Sequence, residues 1–139
     1  MRKSVTQEFE YGCGIACYAF ALNISYKDAV AILGSKQATT TRFWIKDLTL
    51  ALTSAGLGYT YRYIPPNHKN LNCAENSIVL IRRSKTYPSG HYLIKHNNKW
   101  MDPWINLAES KNITQAKSGF RLELPDSAMY VIEPKQVER

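Results

Sequence analysis

Ten consecutive residues, Cys13-Gly14-Ile15-Ala16-Cys17-Tyr18-Ala19-Phe20-Ala21-Leu22, carry no charge. A helix that is apolar all round is buried on all sides. The pattern therefore predicts a central helix from about Gly12–Cys13 to Leu22, broken by Asn23 and Ser25. A second helix starts at Ser25, where Ser-x-x-Asp28 forms a weak capping box. Ala29, Val30, Ile32 and Leu33 supply its apolar side, and Gly34 is its expected C-cap. A third is predicted from about Arg42 to Ala55, with Ile45, Leu48, Leu52 and Ala55 at helical spacing. Gly56 and Gly58 end it.

Beyond Gly58 the period becomes that of strands. Tyr59 to Tyr63 alternates, and Pro65-Pro66 stops it. Ile78 to Ile81 is a continuous apolar run, as a central strand requires. His91 to His96 and Lys99 to Asp102 flank Asn97-Asn98, which fits a two-residue type I′ turn because Asn tolerates positive φ. Met129 to Ile132 reads as a last strand. Pro103 to Pro125 reads as loop with short helix, and the tail from Pro134 as frayed. Helices first and strands second indicate an α+β domain: N-terminal helices, the buried central one carrying Cys13, packed on an antiparallel sheet.

The length agrees with this architecture. At 139 residues the chain suits one domain over 1–139, with an ordered core from about 5 to 133. It buries roughly 68% of its unfolded surface and needs no disulfide or metal to fold. Three cysteines form an odd set, and no apolar h-region follows the charged N-terminus, so a disulfide framework and a signal peptide are not expected. The longest nearly uncharged run, Gly12 to Ser25, is too short to span a bilayer. No second Cys or His pair at ligand spacing accompanies Cys13 and Cys17, so neither a metal nor another cofactor is expected. The net charge of +7 favours acidic partners. Its one cluster, Arg82-Arg83-Ser84-Lys85, comes with no nucleic-acid motif and reads as a solvated loop.

Cys13 stands where the buried helix begins. Unpaired amides and the helix dipole there favour a thiolate, the nucleophilic form. Gly12 and Gly14 let backbone and substrate approach closely. Gln7, six residues upstream, offers an amide to an oxyanion. Read alone, Cys13 equally fits a buried structural cysteine. Cys17, one turn deeper, reads as core, and Cys73 in a polar loop has no assigned role. Among the histidines, His68 reads as solvated, and His96 at the hairpin turn as exposed. His91 follows Ser89-Gly90 and faces oppositely to His96. The Asn97-Asn98 turn pairs His96 with Lys99, Lys95 with Trp100, Ile94 with Met101 and Leu93 with Asp102. Asp102 is then a diagonal neighbour of His91, roughly 7–8 Å away between Cα atoms and within side-chain reach. A carboxylate there fixes the imidazole tautomer; the plainer reading is an Asp-Pro turn.

The order Gln, Cys, His, Asp is the papain-like arrangement. Gln7-Glu-Phe-Glu-Tyr-Gly-Cys13-Gly-Ile-Ala-Cys17 resembles the Gln-x4-Asp-Cys-Gly-x-x-Cys signature of the peptidases that process double-glycine bacteriocin leaders. Thr41 to Leu57, Ser77 to Ile81, Gly90-His91-Tyr-Leu-Ile and Asp102-Pro103 are similar to that family as well, so the resemblance covers about Val5 to Trp104. It implies a papain-like fold, a Cys13–His91–Asp102 triad and an oxyanion-binding Gln7. Gly12 replaces the family's usual Asp before the nucleophile, and no transporter domain follows.

The expected activity is cysteine endopeptidase chemistry through a thioester, cleaving after small residues such as Gly-Gly. The alternatives are a deamidase or transglutaminase using the same triad, and a non-catalytic peptidase-like binding module. The expected partners are a protein or peptide substrate and an acidic inhibitor or immunity protein; no membrane span and no nucleic acid are expected. The chain is read as an antibacterial toxin or effector module acting in the cytoplasm and delivered as part of a larger secreted protein; the alternative is a free-standing cytoplasmic protease with a basic surface kept for solubility.

Overall fold

The computed structural model describes residues 2–36, 45–67 and 71–135. Among the described residues three helices with defined bounds, α1 (Cys13–Leu22), α2 (Tyr26–Leu33) and α3 (Ile45–Ser54), precede six strands: β1 (Tyr59–Tyr63), β2 (Ile78–Ile81), β3 (His91–His96), β4 (Lys99–Asp102), β5 (Gly119–Arg121) and β6 (Ala128–Pro134). The strands form one antiparallel sheet in the order β1-β6-β2-β3-β4-β5. The α+β expectation and the antiparallel sheet are therefore observed.

Each helix boundary has a local cause. α1 ends at Asn23, whose φ of 57° is left-handed, a conformation Asn tolerates. The Ser25 side chain accepts a bond from the Asp28 amide at 3.0 Å and caps α2. Gly34 ends α2 and Gly56 follows α3, both at φ 92°. The start expected for the third helix, Arg42 to Trp44, lies outside the described residues, as does His68.

The helices cover one face of the sheet. α1 packs on β3 and α2, and α3 on β1. Ile15, Phe20, Leu48, Leu52, Ile78, Ile94, Met101 and Ile132 are fully buried between these layers, each contributing about 1.5–3 kcal/mol of transfer free energy. A second cluster, with Val79, Ile81, Leu93, Trp100 and Val131, fills the opposite face under loops. β2 is thus apolar on both faces, and all four of its residues are buried. β1 lies at the sheet edge with only Tyr59 buried.

The β3–β4 hairpin has the expected register: His96 opposite Lys99, Lys95 opposite Trp100, Ile94 opposite Met101. Asn97 and Asn98 take φ values of 51° and 62°, as a type I′ turn demands. Four expectations change. His96 is buried rather than exposed, because Phe20 and Phe120 pack against its ring and Glu75 bonds it at 2.9 Å. Within 103–125 there is a strand, β5, beside one short 3-10 turn at Ile113–Gln115. Arg82 is half-buried rather than solvated: it donates to the Ile64 carbonyl at 2.5 Å, whereas Arg83 and Lys85 are exposed. The final strand also runs further than expected, to Pro134, and 136–139 lie outside the described residues.

Candidate active site

The buried run of α1 puts its first residue, Cys13, at the end of the sheet where β3 begins and β4 ends. His91 is the first residue of β3 and Asp102 the last of β4. His91 is almost entirely buried and Asp102 wholly so. Their contact, Nε2 to Oδ1, is 2.6 Å. Asp102 does not use the other ring nitrogen, Nδ1, and Cys13 stands close enough to His91 to raise its pKa. The structure thus brings together the three residues singled out for the triad. Cys13 and His91 line a cleft of about 250 Å³ with Glu10, Tyr11, Tyr87, Tyr92 and Trp104 among its other walls; Asp102 sits behind His91.

Two glycines are required by this arrangement. Gly90, at φ 74°, turns the chain into β3, and a Cβ there would lie 2.9 Å from the Ile81 carbonyl. At Gly12 a Cβ would lie 2.0 Å from the Tyr26 hydroxyl. Tyr26 is buried, with Phe9 against it at 6.3 Å between ring centroids. The tyrosine of α2 therefore occupies the space a side chain at residue 12 would need. We expect Gly12→Ala to destabilise the protein by about 1–3 kcal/mol through overpacking. In the Tyr26→Phe background the same change should cost clearly less. Urea denaturation of the four proteins measures this; additive effects would show that the two groups do not compete.

Gln7 is buried. Its side-chain nitrogen donates to the carbonyls of Phe9 at 3.0 Å and Glu10 at 3.1 Å, so it fixes the turn leading to Cys13. Its backbone N–H donates to the Pro103 carbonyl at 3.2 Å, which ties this turn to the end of β4. Cys17 is wholly buried; burial, then the charges of Cys13 and Asp102, push its thiol well up. Burial likewise raises the Cys73 thiol.

Sequence reasoning missed three residues around the dyad. Arg121 of β5 donates from Nε to Asp102 Oδ2 at 2.7 Å. The Trp104 amide donates to Oδ1 at 2.9 Å. The Tyr87 ring stacks on His91 at 5.1 Å with 19° between planes, held by turn bonds from the Tyr87 amide to Ser84 Oγ and from the Gly90 amide to the Tyr87 carbonyl. Only the Tyr-Pro-Ser-Gly turn before His91 gave a local signal, and nothing in it named the ring's target.

These contacts set the charges. Burial disfavours a charged His91, but hydrogen bonds to Asp102 and Cys13, with their charges, outweigh it and raise His91 to about 9. Burial also opposes ionisation of Asp102, and its bonds to His91, Arg121 and the Trp104 amide reverse that and lower it. Linkage fixes the sign. The stability tied to protonated His91 is complete below 6.5, its ordinary value, and is lost as pH rises through about 9. That of ionised Asp102 is present above its ordinary 3.8 and is lost as pH falls through the lowered value. The thermal midpoint should therefore fall between about pH 6.5 and 9 in the wild type, and His91→Ala should flatten this limb. An equal fall in both proteins would assign the loss to other groups.

No family model, curated protein or solved structure matches this chain.

What the site can do follows from its residues. It holds a partly exposed thiol, a buried imidazole with a raised pKa and a buried carboxylate bonded to that imidazole. Among the described residues no cluster of three His, Cys, Asp or Glu side chains is placed to hold a metal ion, and no helix is long and apolar enough to cross a membrane.

Proposed function

We propose that this chain is a papain-like cysteine endopeptidase. The observation that carries the reading is that Cys13, at the head of a buried helix, lines one cleft with His91, whose ring is bonded to the buried Asp102 at 2.6 Å. Three residues from three separate elements in the places of nucleophile, base and orienter, with Gln7 bracing the turn before Cys13, go beyond what a structural cysteine requires.

The Cys13 thiolate attacks the substrate carbonyl carbon, and the C–S bond forms. His91 gives the Nδ1 proton to the departing amine as the C–N bond breaks. Water then attacks the thioester while His91 takes its proton, and the thiolate leaves. The Cys13 backbone N–H, free of an intrahelical partner at the first position of α1, faces the oxyanion. Gln7, to which the resemblance gives this role, would join it only by releasing one of its two carbonyl contacts; the backbone donor needs no release. At about 250 Å³ the cleft is at the small end of ligand sites. That size supports small residues before the scissile bond, Gly-Gly by resemblance. The resemblance and the basic surface also support an effector role, with an acidic inhibitor as partner.

Peptide mass spectrometry of bacterial proteins incubated with the chain tests this reading. New termini that are absent with Cys13→Ala are the expected result. Gln or Asn side chains converted to acids, without new termini, would replace it with the deamidase reading, and cross-linked amides would replace it with the transglutaminase one. No covalent change in any protein would leave a binding module.

A further inference from the structure

The triad is one charge out of balance by itself. A Cys13 thiolate, a His91 imidazolium and an Asp102 carboxylate sum to one negative charge. After acylation the sulfur and His91 are neutral, and Asp102 still carries its charge. Asp102 has no exposed surface. A carboxylate buried without a countercharge takes up a proton instead.

Before acylation the His91 imidazolium lies against Asp102; after it, with His91 neutral, Arg121 is the countercharge left to the carboxylate. Its Nε lies 2.7 Å from Oδ2, the oxygen that His91 does not use. Its Nη2 donates to the Ile105 carbonyl at 3.0 Å, which fixes the guanidinium plane. Strand register places it there: Asp102 faces Gly119 and Trp100 faces Arg121, so Arg121 reaches Asp102 diagonally on the same face. Among the described residues, the other ionisable groups around the dyad include Cys13 and Cys17 on α1, Tyr87 before β3 and Tyr92 on β3, with Glu109 and Asp126 acting on Tyr87 and Glu10 and Tyr11 on the cleft wall. Lys111 lines the outer cleft. Among the described residues Arg121 is the permanently charged side chain in contact with the carboxylate.

We infer that Arg121 is a positioning residue that keeps Asp102 ionised while His91 is neutral, and so holds the imidazole hydrogen on Nε2. The inference rests on the peptidase reading. It places the effect of Arg121 on deacylation. In that step the Nδ1 lone pair takes a proton from water, the water oxygen bonds to the acyl carbon, and the C–S bond breaks with its electron pair going to sulfur. Nδ1 is free for this only when the hydrogen sits on Nε2 and an anionic Asp102 accepts it. A protonated Asp102 donates to Nε2 instead, the ring hydrogen moves to Nδ1, and the base is lost.

The test uses p-nitrophenyl acetate as acyl donor, with the full chain as wild type, Arg121→Met, Arg121→Lys and Cys13→Ala. The burst of nitrophenolate reports acylation and the steady state reports deacylation. Arg121→Met should keep its burst rate within a few-fold and slow deacylation by about tenfold or more, with acetyl-Cys13 accumulating in the mass spectrum. The acid limb of its deacylation should move to higher pH, which a purely structural role would not produce. Arg121→Lys should recover most of the rate. Unchanged deacylation in Arg121→Met, or an equal fall of burst and steady state, would overturn the inference and leave the triad standing. Should Arg121→Met not fold, Arg121→Lys decides alone: deacylation near wild type supports the charge, and a tenfold loss with a normal burst overturns it. A wild type with no burst beyond that of Cys13→Ala would overturn the peptidase reading and this inference with it.

Discussion

Cys13→Ala abolishes turnover, by a factor on the order of 10^6 if the nucleophile acts as in other triads, and leaves the thermal midpoint within a few degrees of wild type. The two halves of this expectation have separate causes. Cys13 lines a cleft and is only partly buried, so losing its sulfur opens no large core cavity. Ala suits the first turn of a helix. The activity loss is large because no nearby thiol can substitute. Cys17 is wholly buried one turn deeper, with a raised pKa, and Cys73 packs against the far face of the sheet. The same pair of proteins tests the effector proposal. Wild-type protein expressed in a bacterial cytoplasm should arrest growth and Cys13→Ala should not. Normal growth with abundant, active wild type would remove the toxin role and leave the peptidase.

The two buried histidines should separate activity from stability. His91→Ala removes the base and the partner of Asp102, with a rate loss on the order of 10^4 or more. His96→Ala should leave kcat within a few-fold and cost stability instead, about 1–3 kcal/mol. His96 sits at the other end of β3, with Phe20 at 5.2 Å and Phe120 at 6.1 Å between ring centroids and a 2.9 Å contact to Glu75. Arg2 adds a contact to its ring and donates to Asn76 at 2.6 Å, closing that corner. Kinetics and urea denaturation on the two variants measure both effects. The reverse pattern, with His96 carrying the activity, would mean that the hairpin register assigns the wrong histidine.

The hairpin shows what was legible in the sequence. Two asparagines fix the turn, the turn fixes the register, and the register puts Asp102 on the face of His91. Each step is local, and the observed 2.6 Å contact follows from it. The uncharged run of α1, the Ser25 cap and the four buried residues of β2 were readable for the same reason, since each pattern stands within a few residues. Arg121 was not readable. β5 has three residues, too few for a period to show, and its pairing with β4 spans a long loop. His96 failed in the opposite sense. A histidine beside a turn is exposed by default, and here residues remote in sequence, Arg2, Phe20, Glu75 and Phe120, cover it. Gly12 was visible as a departure from the resemblance, but its reason, the Tyr26 hydroxyl, lies on the next helix.

The central claim is that Cys13 is a nucleophile activated by His91. Iodoacetamide labelling of the native protein across pH, read by peptide mass spectrometry at each cysteine, tests it most directly, because it needs no substrate and alkylation requires a thiolate. Cys13 should label much faster than Cys17 and Cys73 near pH 6, where burial keeps the other two protonated, and His91→Ala should remove that advantage. Three thiols that label alike, or a Cys13 rate that His91→Ala leaves unchanged, would contradict it.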